Sequence, residues 1–187
     1  MRLVVGITGG SGAVYALGLL QALGELGVRR EVVVSRAGEL VLAHECGTDL
    51  AELAGYADVL HDNADIAASV ASGSHKTDGM VIVPCSMKTL AAVAHGYSES
   101  LLTRAADVTI KERRRLVVVP RETPLSPLHL ENMLKLSRLG AVVLPPSPAF
   151  YQRPESLADV VKFVVGKILD QLGLEHALCR RWEGAEP

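Results

Sequence analysis

The chain has 187 residues, 49% of them hydrophobic and 4% aromatic, with a formal charge of −2. That length suits one domain with a substantial core, expected here to span 1–187. Near-neutral charge and few aromatics argue against a nucleic-acid module, which carries a basic face with stacking rings.

The first apolar, β-branched run, 3–7, predicts a strand that turns through Thr8-Gly9-Gly10-Ser11-Gly12 into a helix over 12–26. A strand at 31–34 closes on Ser35 and a helix follows at 37–46. The strand at 79–83 runs into Pro84-Cys85-Ser86-Met87-Lys88-Thr89, where Pro84 stops it and a helix opens over 89–94. A helix over 100–111 leads to a strand at 116–119, and a helix over 129–139 to a strand at 141–144. Pro145-Pro146-Ser147-Pro148 then separates that strand from the last helix, 156–172. This alternation predicts an α/β fold, a parallel sheet covered by helices on both faces. The polar 180–187 reads as a mobile tail by composition, although Trp182 is an apolar anchor that a purely disordered end would not need.

Cys46, Cys85 and Cys179 are odd in number and widely spaced, which suggests neither a disulfide framework nor a metal site. The six histidines form no HxH, HExxH or Cys/His constellation. No segment approaches the roughly 18 apolar residues of a membrane span. A soluble, cytoplasmic protein without a catalytic metal is expected, with a small molecule or another chain as partner.

In open sheets of this kind ligands bind outside the carboxyl ends of the strands, which directs attention to 8–11, 35–36, 84–89, 120–122 and 145–151. The first turn is not GxGxxG. Its missing side chains let a phosphate or flavin edge approach, and they equally serve strand–helix packing. Ser35 stands where a dinucleotide enzyme places an acid, which favours a mononucleotide; a plain helix cap explains it as well. Ser86, Lys88 and Thr89 follow a buried strand too closely for a cap alone and suggest a phosphate or flavin cradle. Cys85, with no histidine assignable to it, reads better as a small buried residue than as a nucleophile. Arg121 beside Glu122 pairs an anion ligand with an acid/base group. By default Glu45 is a surface residue, Tyr151 packs on Phe150, and the run 111–115 is a solvated helix end.

The order of the motifs carries the reading further. Gly-Ile-Thr-Gly-Gly-Ser-Gly-Ala at 6–13, Val-Pro-Cys-Ser-Met-Lys-Thr-Leu-Ala at 83–91, Leu-Leu-Thr-Arg-Ala-Ala-Asp-Val at 101–108 and Pro-Pro-Ser-Pro-Ala-Phe-Tyr at 145–151 closely resemble the UbiX-type flavin prenyltransferases. The stretches 111–117, 121–125 and 129–133 extend the match along nearly the whole chain.

The resemblance implies a three-layer, Rossmann-like or flavodoxin-like flavoprotein that assembles as a homododecamer with sites between subunits. It implies transfer of a dimethylallyl group from dimethylallyl phosphate to reduced FMN, without a metal. The product, prenylated FMN, would serve a UbiD-type decarboxylase. By motif, FMN contacts fall on Gly9, Gly10, Ser11, Ser35, Ser86, Met87, Lys88, Thr89 and Arg121. Prenyl-phosphate contacts fall on Tyr151, Lys167 and Arg104, while Glu45, Glu122, Lys111 and Arg121 occupy the catalytic positions. Gly10 replaces a common Ala, and Tyr97-Ser98-Glu99-Ser100 replaces a frequent Ile-Ser-Asp-Asn. Two readings compete: an FMN-dependent cysteine decarboxylase of the phosphopantothenoylcysteine type, which resembles Pro-Ala-Ser-Ala-Asn-Thr at the strand end, and a non-catalytic FMN carrier.

Overall fold

The strands divide their side chains between two hydrophobic cores, one on each face of a six-stranded parallel sheet. The computed structural model describes residues 1–181 and 184. Along the chain it has β1 (Arg2–Ile7), α1 (Ala13–Glu25), β2 (Arg29–Val34), α2 (Arg36–Cys46), α3 (Leu50–Leu53), β3 (Val59–His61) and β4 (Gly79–Cys85). It continues through α4 (Met87–Ala94), α5 (Leu101–Lys111), β5 (Arg115–Pro120), α6 (Pro127–Arg138), β6 (Val142–Val143) and α7 (Leu157–Leu172).

One core gathers Leu3, Val5 and Ile7 of β1 with Val81, Val83, Val117 and Val119, under Leu19, Leu23, Ile168 and Leu169 of α1 and α7. The other gathers Val4, Val33, Met80, Ile82 and Val118 under Leu90, Leu102 and Ala106 of α4 and α5. Burial on both faces explains why these strands read as unbroken apolar runs, each large side chain contributing ~1.5–3 kcal/mol. Serines cap the helices: Ser35, Ser86, Ser100, Ser126 and Ser156 each accept an N–H from the first turn. Each such cap stabilises by ~1 kcal/mol. Helix α1 differs, because its N-cap is Gly12 at φ 116, which offers no side chain.

The strand order is β3-β2-β1-β4-β5-β6. From β1 the chain winds outward to β2 and β3, then returns to place β4 on the other side of β1. The order therefore reverses between β1 and β4, and the crevice at their carboxyl ends is the natural ligand site.

Several expectations change. Three-residue β3 lies at a sheet edge and is too short to leave a periodic signal. Pro84 does not stop β4, which continues to Cys85 with a register irregularity between Ile82 and Cys85. Such an irregularity accommodates a residue without an N–H inside a ladder. The last strand shrinks to Val142–Val143. The start of the 180–187 segment is held, since Gln152 Nε2 donates to the Arg180 carbonyl at 2.7 Å; Trp182 lies outside the described residues. Among the described residues no helix is long and apolar enough to cross a membrane.

Candidate active site

Thr8 joins the two strands that flank the crevice. Its side chain is buried, and Oγ1 donates to the Pro84 carbonyl at 2.8 Å while accepting the Ser86 N–H at 2.7 Å. The end of β1 is thereby fixed to the start of the Ser86–Thr89 segment. Beyond Thr8, the glycines let the turn lie close to its neighbours. A Cβ on Gly9 would stand 2.5 Å from Ala37 Cβ, whereas one on Gly10 would meet Pro84 and Arg121 at 3.4 and 3.7 Å.

The N-terminus of α1 is capped from another helix. Glu45 Oε2, at the end of α2, accepts the N–H groups of Gly12 and Ala13 at 2.8 and 2.9 Å. Burial pushes this carboxyl up, but hydrogen bonds from Ser11, Gly12 and Ala13, with the Arg121 charge nearby, outweigh it and hold the group below its ordinary value. The anion at this helix end is thus Glu45 itself. A ligand phosphate has no claim on those two N–H groups.

Ser35 spends its hydroxyl as a cap, accepting from Gly38 N at 3.1 Å, and its own N–H donates to the Ile7 carbonyl at 2.9 Å. Ser86 Oγ accepts from Thr89 N at 3.4 Å and donates to Thr89 Oγ1 at 3.2 Å. That cap leaves the first N–H groups of α4, from Met87 and Lys88, directed out of the helix end toward the crevice. Thr89 is buried, Met87 half-buried against the α4 core, and Lys88 exposed. Arg121 donates its N–H to the Cys85 carbonyl at 3.2 Å, placing the ends of β4 and β5 side by side. Glu122 follows in an exposed loop, its Oε1 accepting from Thr123 N at 3.1 Å.

One chain does not bring every expected residue here. Arg104 and Lys111 lie on α5, which starts beside Asn63 just past the carboxyl end of β3 and runs toward the amino ends of the strands, so that only Lys111 reaches them. Arg104 donates to the Ala71 carbonyl and pairs with Asp107, and Lys111 pairs with Glu112 beside Gly73. Lys167, on the second half of α7, pairs with Asp170 at 3.4 Å. Tyr151 stays near the carboxyl ends but packs edge-on against Phe163, ring centres 6.4 Å apart, not on Phe150 as expected. Helix α7 passes beneath the 145–151 loop, and no local spacing announces that contact.

Two site residues had little signal in the sequence. Thr8 was one of several polar residues at a strand end, and its hydrogen bonds depend on β4. Tyr15 lies on α1 with its ring where a Cβ on Gly12 would be, 2.9 Å away. Burial raises its phenol, opposed by the Arg121 charge, so it stays protonated near neutrality. Cys85 is fully buried and its thiol is pushed up by burial to about 12, so it offers no thiolate. Among the described residues no group of three or more His, Cys, Asp or Glu side chains is placed to hold a metal ion.

The chain as a whole has counterparts among known proteins. The family model described as Flavoprotein matches residues 1–169. The flavin prenyltransferase UbiX of Salmonella typhimurium is 51% identical over 187 residues, covering 98% of this chain and 99% of that protein. The chain belongs to the UbiX-type flavin prenyltransferases. Among solved UbiX-like structures, a dodecameric FMN-dependent decarboxylase from Escherichia coli O157:H7 superposes with a TM-score of 0.96 at 51% identity, covering 98% of this chain and all of that one. AnUbiX, solved with FMN and dimethylallyl pyrophosphate, gives 0.97 at 46% identity, over 99% of this chain and 98% of that one. The UbiX-type fold thus extends over nearly all of the chain.

Proposed function

We propose that this protein joins the dimethylallyl group of dimethylallyl phosphate to reduced FMN, yielding prenylated FMN and phosphate. The observation that carries the reading is the convergence of Gly9, Gly10, Ser86–Thr89, Arg121 and Glu45 on the crevice between β1 and β4. The residues fit a flavin. Gly10 lets the turn lie against Pro84 and Arg121 at the mouth of the crevice, and the start of α4 presents N–H groups and hydroxyls.

Phosphate leaves the allylic carbon as that carbon bonds to the central-ring nitrogen of the reduced flavin, which gives up its N–H proton. Closure onto the neighbouring benzenoid carbon then adds a proton to the alkene and takes one from the ring. Arg121 supplies positive charge to the departing phosphate, stabilisation that does not need a divalent cation. Glu45, held ionised by the α1 N-terminus, accepts a proton, and Glu122 on its exposed loop exchanges protons with solvent. Ser11, bonded to Glu45, orients that carboxylate.

Arg104, Lys111, Tyr151 and Lys167 complete the prenyl-phosphate side from neighbouring copies in an assembly such as the dodecamer of the E. coli relative. Within one chain Lys111 and Lys167 instead pair with Glu112 and Asp170, which supports this arrangement. The product passes to a UbiD-type decarboxylase in the cytoplasm. Anaerobic incubation with reduced FMN and dimethylallyl phosphate, followed by mass spectrometry of the flavin, tests the activity. A flavin recovered without a prenyl adduct sinks it.

A further inference from the structure

Near the end of α7, the carboxylate of Asp170 is divided among three side chains. Oδ1 accepts from Arg181 Nη2 at 2.7 Å and from His176 Nε2 at 3.2 Å. Oδ2 accepts from Arg181 Nη1 at 2.8 Å and from Lys167 Nζ at 3.4 Å. Arg181 makes the short, forked contact, and Lys167 the longest one.

The segment that delivers Arg181 is seated on the same stretch of α7. The His176 side chain is 2% exposed, and its Nδ1 accepts the Leu178 N–H at 3.2 Å, so Nε2 carries the proton given to Asp170. Gly166 makes the seat possible: a Cβ there would lie 2.8 Å from His176 Cε1 and 3.1 Å from Cys179 Sγ. Lys167 stands between Gly166 and Asp170, the two positions that hold this segment. The Arg181 guanidinium is also the largest influence on the Asp170 carboxyl, which is held down to about 2 and so stays ionised at working pH.

We infer that Arg181 is a positioning residue for Lys167: it occupies the Asp170 carboxylate, leaving the Lys167 ammonium available to the anionic group of the prenyl donor. This rests on the reading of Lys167 as a prenyl-phosphate ligand. One carboxylate between two cations binds the better-placed one. Without Arg181, Asp170 turns to Lys167 and competes with the donor phosphate for it. The seated segment 174–181 thus sets donor affinity from outside the reacting atoms.

The test compares the full-length protein with Lys167→Gln, Arg181→Gln, Arg181→Lys and the double variant Arg181→Gln/Asp170→Asn. Four quantities are read: KM for dimethylallyl phosphate at saturating reduced FMN, kcat, FMN affinity by flavin fluorescence, and the rate of Lys167 acylation followed by peptide mass spectrometry. Lys167→Gln and Arg181→Gln should each raise KM about tenfold, the scale of one charge-assisted contact, with FMN affinity unchanged. Arg181→Lys, which keeps the charge and loses the fork, should fall between. Acylation of Lys167 should slow in Arg181→Gln, and the double variant should recover both KM and labelling. An unchanged KM in Lys167→Gln overturns the assignment of Lys167 and the inference with it. A KM raised by Lys167→Gln but not by Arg181→Gln, or not recovered in the double variant, overturns the role of Arg181 alone.

Discussion

Glu45 and Gly12 stand 33 residues apart, yet the carboxylate of the first accepts the backbone N–H of the second at 2.8 Å. Because Gly12 has no side chain to cap α1, a residue at the far end of α2 does so, and the same carboxylate faces Arg121. A structural task and a chemical one are combined in one group.

Separating the two tasks is a matter of substitution. Glu45→Gln keeps an acceptor oxygen for the N–H groups and removes the base, so turnover should fall about 10²–10⁴-fold while FMN affinity changes little. Glu45→Ala should add a stability loss of ~1 kcal/mol from the missing cap. Single-turnover rates and thermal unfolding of both variants distinguish chemistry from capping; equal activity losses without any difference in stability would contradict this division. Since the carboxyl is held below its ordinary value, activity that needs it ionised should persist to lower pH than a free glutamate allows, then decline.

The two glycines of the first turn should respond oppositely to alanine. A methyl on Gly9 would press within 2.5 Å of Ala37, so Gly9→Ala forces β1 and α2 apart, with a loss of ~1–3 kcal/mol and weakened FMN binding. At Gly10 the nearest atom would be 3.4 Å away, ordinary contact, and Gly10→Ala should bind FMN like the parent. Flavin fluorescence titration reads both.

Cys85 should be chemically silent. Its burial predicts that a thiol reagent modifies it only after unfolding, and that Cys85→Ala keeps turnover within about twofold while losing ~1–2 kcal/mol of stability. Rapid labelling of Cys85 in the folded protein, or loss of turnover in the alanine variant at full flavin binding, would restore the nucleophile reading.

A buried charge at the opposite end of the sheet controls acid stability. Glu31 is 2% exposed and is met by His61 at 3.1 Å, His75 at 3.0 Å and Arg2 at 3.3 Å. Burial pushes its carboxyl up, but the hydrogen bonds from His61 and His75 outweigh that and bring it below the ordinary value. A depressed carboxyl contributes stability that is complete above the unfolded value of about 4.3 and lost as pH falls through the lower folded value. Glu31→Gln should cost ~1–3 kcal/mol at neutral pH, with the difference in Tm from the parent narrowing below pH 4. A constant difference from pH 7 to pH 3, at fixed protein concentration, would rule this out.

Much of the molecule was legible before folding was considered. The apolar runs gave the α/β alternation because both faces of each central strand are buried, and the serines and glycines at the helix ends marked the turns. The order of motifs identified the family. Tertiary structure alone decided that the crevice opens between β1 and β4, because strand order is a matter of crossover and not of pattern. It also showed that Glu45, exposed as its local reading expects, caps α1, that Pro84 lies within a strand, and that Tyr151 rests on Phe163. Local spacing encodes the period of an element and the chemistry of its ends. Contacts such as Glu45 with Gly12, or Asp170 with Arg181, join residues whose separation along the chain carries no period, and only packing of the helices on the sheet brings them together.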